Sequence, residues 1–162
     1  MKTLLLLRHA KSSWKDSDLP DHERPLNKRG KHEAPEVGKY LRNQNLLPDL
    51  ILCSSAVRAR QTVEAVVEKS GYPGKIQFRD DFYGNGSEAY FTALPSLPDA
   101  VQSVMILAHN PDLEQALAAL TGKYMPMPTA GLARVEVQID SWQEFKAAGT
   151  AKLVETWRPP QG

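Results

Sequence analysis

An α/β fold with a largely parallel central sheet is predicted by three features of this sequence. Short apolar runs at residues 4–7, 49–53 and 104–108 alternate with segments of helical periodicity, the pattern of βαβ units. Leu4-Leu5-Leu6-Leu7 is continuously apolar, as a strand buried on both faces must be. Each run ends abruptly in polar, turn-prone residues: Arg8-His9, Ser54-Ser55 and His109-Asn110. In open α/β sheets ligands gather outside the carboxyl ends of the strands, so these endings are where chemistry is expected.

Taken in order, residues 2–8 form the first strand. The charged, proline-bearing segment 16–25 reads as a surface loop beside that strand's end. Asn27 is a suitable N-cap for a helix reaching about residue 45, with Ala34, Val37, Gly38 and Leu41 on one face. Pro35 inside it predicts a kink or a late start. Residues 49–53 are the second strand, and Ser54 and Ser55 are placed to cap the helix that follows. Ala59, Val63, Val66 and Val67 make that helix's buried face, leaving Arg58 at its mouth.

A weak third strand is expected at 76–78. Residues 80–100 read as loops around one short helix near 88–94, given Gly84, Gly86, Pro95 and Pro98. Residues 104–108 are the next strand. Asn110 as N-cap and Pro111 as first helical residue then open a helix with Leu113, Leu117 and Leu120 at helical spacing. Residues 132–139 and 151–157 alternate enough to be closing strands, and the Pro/Gln/Gly end is expected to fray.

Composition narrows the function classes. The 162 residues fit a single domain, 1–162, large enough to bury about two-thirds of its unfolded surface. Lys plus Arg number 20 and Asp plus Glu 19, a net charge of +1, which argues against nucleic acid or an acidic membrane as partner. Cys53 is the only cysteine, so no internal disulfide forms, and no Cys/His array has zinc spacing. A reduced, cytoplasmic compartment fits. The N-terminal apolar run is too short to span a membrane and is not followed by a small-residue cleavage site.

The candidate site lies at three strand ends. Arg8-His9, Arg58 and His109 fall at the same edge of a parallel sheet, so two arginines and two histidines converge. Arginine offers a planar fork of donors to phosphate, a helix N-terminus adds unpaired N–H groups, and an imidazole can attack phosphorus in line. For each arginine taken singly, the competing reading is a solvated surface cation; their coincidence at one edge outweighs it.

These residues, with the Ser54-Ser55-x-x-Arg58-Ala59-x-Gln61-Thr62 block and Ala108-His109-Asn110-Pro111, resemble the histidine phosphatase (phosphoglycerate mutase-like) superfamily. The short length and Arg24-Pro25-Leu26-Asn27 resemble its SixA-type phosphohistidine phosphatases. The resemblance runs from residue 2 to about 135 and implies a three-layer α/β/α fold. It implies His9 as nucleophile, Arg8 and Arg58 as phosphate clamps and His109 as a further donor. It adds Arg24 as a substrate-binding residue, with Ser12, Ser13 and Asn110 as further phosphate contacts. It also implies no metal and no organic cofactor.

Other residues have plainer readings. His22 and His32 read as solvated surface, and Cys53 as a small buried hydrophobe. Trp14 is either a partly buried anchor of the His9 loop or a lining of the substrate entrance. Residues 125–129 form a prolyl connection or a pocket rim. Mutases and phosphomonoesterases of the larger superfamily use a Glu in an insert after the third strand, and that pattern is not matched here. Asp80, Asp81 and Glu88 are the acids nearby. A poor leaving group needs an acid most, whereas imidazole, with a conjugate-acid pKa near 6.5, departs easily. The favoured substrate is therefore a phosphohistidine on a protein. A small phosphorylated molecule, or phosphoprotein binding without turnover, are the alternatives.

Overall fold

The computed structural model describes residues 1–149 and 151–160. Six strands form one sheet: β1 (Lys2–Arg8), β2 (Leu50–Ser54), β3 (Lys75–Arg79), β4 (Ser103–Ala108), β5 (Leu132–Val137) and β6 (Ala151–Trp157). Their order is β3-β2-β4-β1-β5-β6. β1, β2, β3 and β4 run parallel, β5 is antiparallel to β1, and β6 is antiparallel to β5. The carboxyl ends of β1, β2 and β4 therefore lie side by side, as the placement of the candidate residues requires.

The leucine run explains the layering. Leu4 and Leu6 pack into the core beside α3 (Glu88–Ala93) and α4 (Asp112–Thr121), with Phe82, Leu113, Leu117 and Trp142. Leu5 and Leu7 pack into the opposite core beside α1 (Lys28–Asn43) and α2 (Val57–Ser70), with Val37, Leu41, Val63 and Val66. All four leucines are at most 1% exposed, so the run is apolar because successive side chains enter different cores. Each such burial stabilises the fold by roughly 1.5–3 kcal/mol.

Helix α1 starts where Asn27 predicts, its side chain accepting from the N–H of Gly30. The helix does not start late: it runs unbroken from Lys28 through Pro35 to Asn43. Its buried face, Ala34, Val37, Gly38 and Leu41, holds it against α2. Gly38 makes this close approach: a Cβ there would stand 2.6 Å from the Val66 carbonyl oxygen. Two capping expectations fail. Ala56, not Ser54 or Ser55, is the N-cap of α2, and no side chain caps it. Helix α4 begins one residue later than expected, with Pro111 as its N-cap and Asn110 outside it. In both cases the polar side chains are engaged elsewhere in the candidate site.

The remaining outlines agree within a residue or two at most boundaries. β5 ends at Val137, two residues early, and Val67 is only partly buried. Residues 161–162 of the expected frayed end lie outside the described residues. No helix among the described residues is long and apolar enough to cross a membrane.

Candidate active site

Backbone pairing delivers the nucleophile candidate to the sheet edge. The N–H of Arg8 donates to the Gly131 carbonyl at 3.0 Å, that of His9 to Ala108 at 3.2 Å, and that of Ala130 to His9 at 3.0 Å. Ala130 takes a left-handed conformation to do so, with φ 57°, which alanine rarely adopts. The N–H of Ala10 donates to Thr62 Oγ1 at 3.0 Å, and Gln61 Oε1 accepts from the N–H of Leu26 at 2.8 Å. Gln61 and Thr62 on α2 thus fasten the chain on both sides of the loop after His9. Asn27 N–H to the Lys11 carbonyl and the Ser12–Leu26 bridge close that loop.

The imidazole of His9 has one assignable tautomer. Its Nδ1 is 2.7 Å from the Ala10 carbonyl, which only accepts, so Nδ1 carries the proton. Its Nε2 faces the Nε–H of Arg58 at 3.4 Å and is the lone-pair nitrogen. Burial pushes the His9 pKa down to about 3, with His109, Arg58 and Arg8 adding to the shift against the Ala10 hydrogen bond. The ring is neutral at physiological pH, the form a nucleophile requires.

His109 lies across from it, the ring centroids 5.1 Å apart. Its Nε2 is 2.7 Å from Ser54 Oγ, which also accepts from the N–H of Ala56. Burial, with Arg58, holds the His109 pKa down to about 3. Arg8 donates from Nη1 to the Met127 carbonyl at 3.1 Å, which takes a second bond from Asn110 Nδ2 at 2.8 Å. Met127 is fixed in turn by its N–H on Glu114 of α4 at 2.7 Å. Residues 125–129 therefore brace Arg8, and Asn110 serves that brace with its amide nitrogen.

Arg58 has its Nη1 on the Asp21 carbonyl at 2.8 Å and its Nη2 on Asp21 Oδ2 at 3.1 Å. Arg24 is buried, with Nη1 on Ser12 Oγ at 2.7 Å and on the Ser13 carbonyl at 3.1 Å, and Nε on Asp21 Oδ1 at 3.0 Å. The structure thus brings together His9, Arg58 and His109, with Arg8 alongside. Arg24 joins them through Asp21, and Ser12 serves as an acceptor for Arg24. Ser13 Oγ accepts from the N–H of Lys15 on the exposed side.

Several participants are missing from the reading of the sequence. Asp21 lies in a short 3-10 turn (Asp21–Glu23) inside the segment read as plain loop. Tyr83 donates to Asp21 Oδ2 at 2.5 Å and sets its ring edge-on to His109 and to His22. His22 is only half-exposed, with Nε2 3.0 Å from Ser55 Oγ, so it is a rim residue and not the solvated histidine expected. His32 is exposed, as expected. Trp14 is not the partly buried residue expected: it is 72% exposed, with the Arg24 guanidinium 3.6 Å from its ring centroid. Arg24-Pro-Leu and the acid three residues before it were the one local signal for Asp21.

The acids named from sequence lie in the turn after β3 and at the start of α3. Asp81 is paired with Arg79 at 2.8 Å, Asp80 sits in the same turn (Asp80–Phe82), and Glu88 opens α3. No group of three or more His, Cys, Asp or Glu with the arrangement of a metal site occurs among the described residues. Cys53 is fully buried, and burial pushes its thiol pKa well up.

The model of the histidine phosphatase superfamily (branch 1) matches residues 4–83. A crystal structure from Agrobacterium tumefaciens, provisionally assigned as the phosphohistidine phosphatase SixA, superposes with a TM-score of 0.84 at 31% identity, covering 98% of each chain. A tungstate complex of the protein histidine phosphatase SixA superposes with a TM-score of 0.82, covering 97% of each chain; at 22% identity that likeness is one of fold. An uncharacterised chloroplastic protein of Arabidopsis thaliana is 34% identical over 153 residues, 88% of this chain and 70% of that protein.

Proposed function

The chain belongs to the histidine phosphatase superfamily and is a phosphatase of its SixA type; on that premise we propose that it hydrolyses phosphohistidine carried by a protein, with His9 as the nucleophile. The observation that carries the reading is the His9 imidazole, neutral, proton-bearing at Nδ1 and with Nε2 beside a guanidinium. Nε2 attacks phosphorus as the P–N bond of the substrate breaks. The electron pair goes to the leaving imidazole, which takes up a proton from solvent. Water then attacks the phosphorus on His9, releasing phosphate and restoring the neutral ring. The Nδ1–H to Ala10 bond stabilises the positive charge on the phosphorylated ring between the two steps.

Arg8, Arg58 and His109 stabilise the equatorial oxygens during both displacements. The choice of leaving group follows from the acids. Asp21, the carboxylate bonded to Arg24 and Arg58, is held far below the usual carboxylate range by the Tyr83 hydroxyl, Arg24 and Arg58, so it stays ionised and donates no proton. Asp81 is likewise lowered by its bond to Arg79. With Asp21 held ionised beside the arginines, a leaving group that departs unaided is favoured, as imidazole does. Domain extent 1–162, a cytoplasmic setting and the absence of a cofactor complete the proposal.

The test is a purified-protein assay on a histidine-phosphorylated carrier protein, with release of inorganic phosphate as readout. Dephosphorylation that disappears in His9→Ala supports the proposal. Turnover of small phosphate esters with none of the phosphoprotein transfers the assignment to a small-molecule phosphatase. Tight retention of the phosphoprotein without phosphate release identifies a binding module.

A further inference from the structure

The geometry points to Asp21 as the positioning residue of the phosphate clamp, holding Arg24 and Arg58 as one unit aimed at the site in front of His9. This rests on the reading of His9 and Arg58 given above, and it extends the clamp to a carboxylate that touches neither the nucleophile nor, in this assignment, the substrate.

Three observations carry it. The two oxygens of one carboxylate are shared between two guanidiniums: Oδ1 takes Arg24 Nε at 3.0 Å and Oδ2 takes Arg58 Nη2 at 3.1 Å. The Asp21 carbonyl takes Arg58 Nη1 at 2.8 Å, so one residue grips Arg58 at both terminal nitrogens and fixes the plane of its fork. With that plane set, the remaining Nε–H is the one that faces His9 Nε2 at 3.4 Å. Arg58 is therefore oriented from behind by Asp21 and presents its front to the nucleophile.

Tyr83 anchors the positioning group itself. Its hydroxyl donates to Oδ2 at 2.5 Å from the turn after β3, while its ring contacts His22 and His109 edge-on. The Asp21 side chain is 47% exposed, whereas Arg24 and Arg58 are 8% and 7% exposed. An exposed carboxylate contributes little stability through its ion pairs. Its effect is on orientation: an arginine has several rotatable bonds, and fixing the fork before substrate arrives removes an ordering cost from binding and catalysis. The carboxylate also separates like charges, since Arg8, Arg24 and Arg58 otherwise crowd one edge.

A competing role predicts the opposite sign. If Asp21 instead occupied the arginines as a resident anion that substrate must displace, removing it would strengthen oxyanion binding. The experiment uses the full chain as wild type, Asp21→Asn, Asp21→Ala, Arg58→Lys and the Asp21→Ala/Arg58→Lys double variant. Three quantities are read: the Arg58 Nε–H resonance in a spectrum of ¹⁵N-arginine-labelled protein, the inhibition constant of vanadate, and kcat and KM on phosphoramidate.

Positioning predicts that Asp21→Ala broadens the Arg58 Nε–H resonance, weakens vanadate at least about tenfold and lowers kcat/KM by about 10- to 100-fold. Asp21→Asn, which keeps one acceptor oxygen, falls between it and wild type and carries the test if the alanine variant unfolds. Because Asp21 acts in part through Arg58, its removal costs less once Arg58 is lysine than it does in the wild type, a non-additive cycle, with the share carried by Arg24 remaining. Tighter vanadate binding, unchanged kinetics, an unaltered Arg58 signal or additive losses overturn the inference. A wild type that turns over no phosphoramidate and binds no vanadate refutes the proposed function instead, while the Arg58 resonance still reads the positioning.

Discussion

The Nε–H of Arg58 is directed at Nε2 of His9 across 3.4 Å. With Nδ1 held on the Ala10 carbonyl at 2.7 Å, the imidazole has its donor nitrogen on the backbone and its lone pair on the side of the cation. The cation beside the lone pair adds to the burial that keeps the ring neutral, and in the proposed reaction it stands next to the phosphoryl group.

Replacing His9 by alanine is expected to abolish an acid-labile phosphoenzyme. Wild-type protein quenched in alkali during turnover of a radiolabelled slow donor should carry about one phosphate per active chain, and acid should release it. Label retained by His9→Ala would place the nucleophile elsewhere.

Burial of two neutral histidines ties stability to pH. His9 and His109 titrate near 3 in the fold against about 6.5 unfolded, so between those values the unfolded chain binds more protons. Stability is full above pH 6.5 and falls as pH drops, by up to about 1.4 kcal/mol per pH unit for each histidine. Urea melts from pH 7 to 4 should show this slope, and His9→Gln should reduce it. Because His9 stays unprotonated, kcat/KM should show no loss with a midpoint near 6.5 on its account; such a midpoint would mean that the ring is more hydrated than the fold implies.

Leaving-group dependence should be steep. Phosphohistidine and aryl phosphates are expected to turn over faster than alkyl phosphates, since a missing acid costs about 10²–10⁴-fold for a poor leaving group. Asp80→Asn, Asp81→Asn and Glu88→Gln should change phosphohistidine hydrolysis little. One of them that collapses alkyl phosphate turnover while sparing aryl phosphate would be a general acid after all.

Chelation should leave activity intact. Two arginines supply the positive charge that magnesium supplies in other phosphoryl-transfer sites, and neutral His109 a hydrogen bond, through side chains already in place. Dialysis against EDTA followed by assay checks this. Activity lost in EDTA and restored by a divalent ion would contradict the mechanism.

What the sequence determined by itself was local in origin. The alternation of apolar runs and helical periods set the strands and helices. Asn27 set the start of α1, and the abrupt ends of β1, β2 and β4 placed Arg8, His9, Arg58 and His109 at one edge. Gln61 and Thr62 were visible as part of a motif, though their work, holding Leu26 and Ala10, was not.

Tertiary structure alone decided which loop groups meet that edge. Asp21 and Tyr83 are 62 residues apart and joined only because the turn after β3 comes to rest against the loop after β1. Glu114 and Met127 act the same way, through hydrogen bonds between separate segments that leave no period in the sequence. The capping expectations at Ser54 and Asn110 failed for the related reason that a polar side chain has one set of donors and acceptors. Ser54 is paired with His109 and Asn110 with Met127. Local patterns report which face a residue buries; the partner that claims its hydrogen bonds is fixed only when distant segments pack.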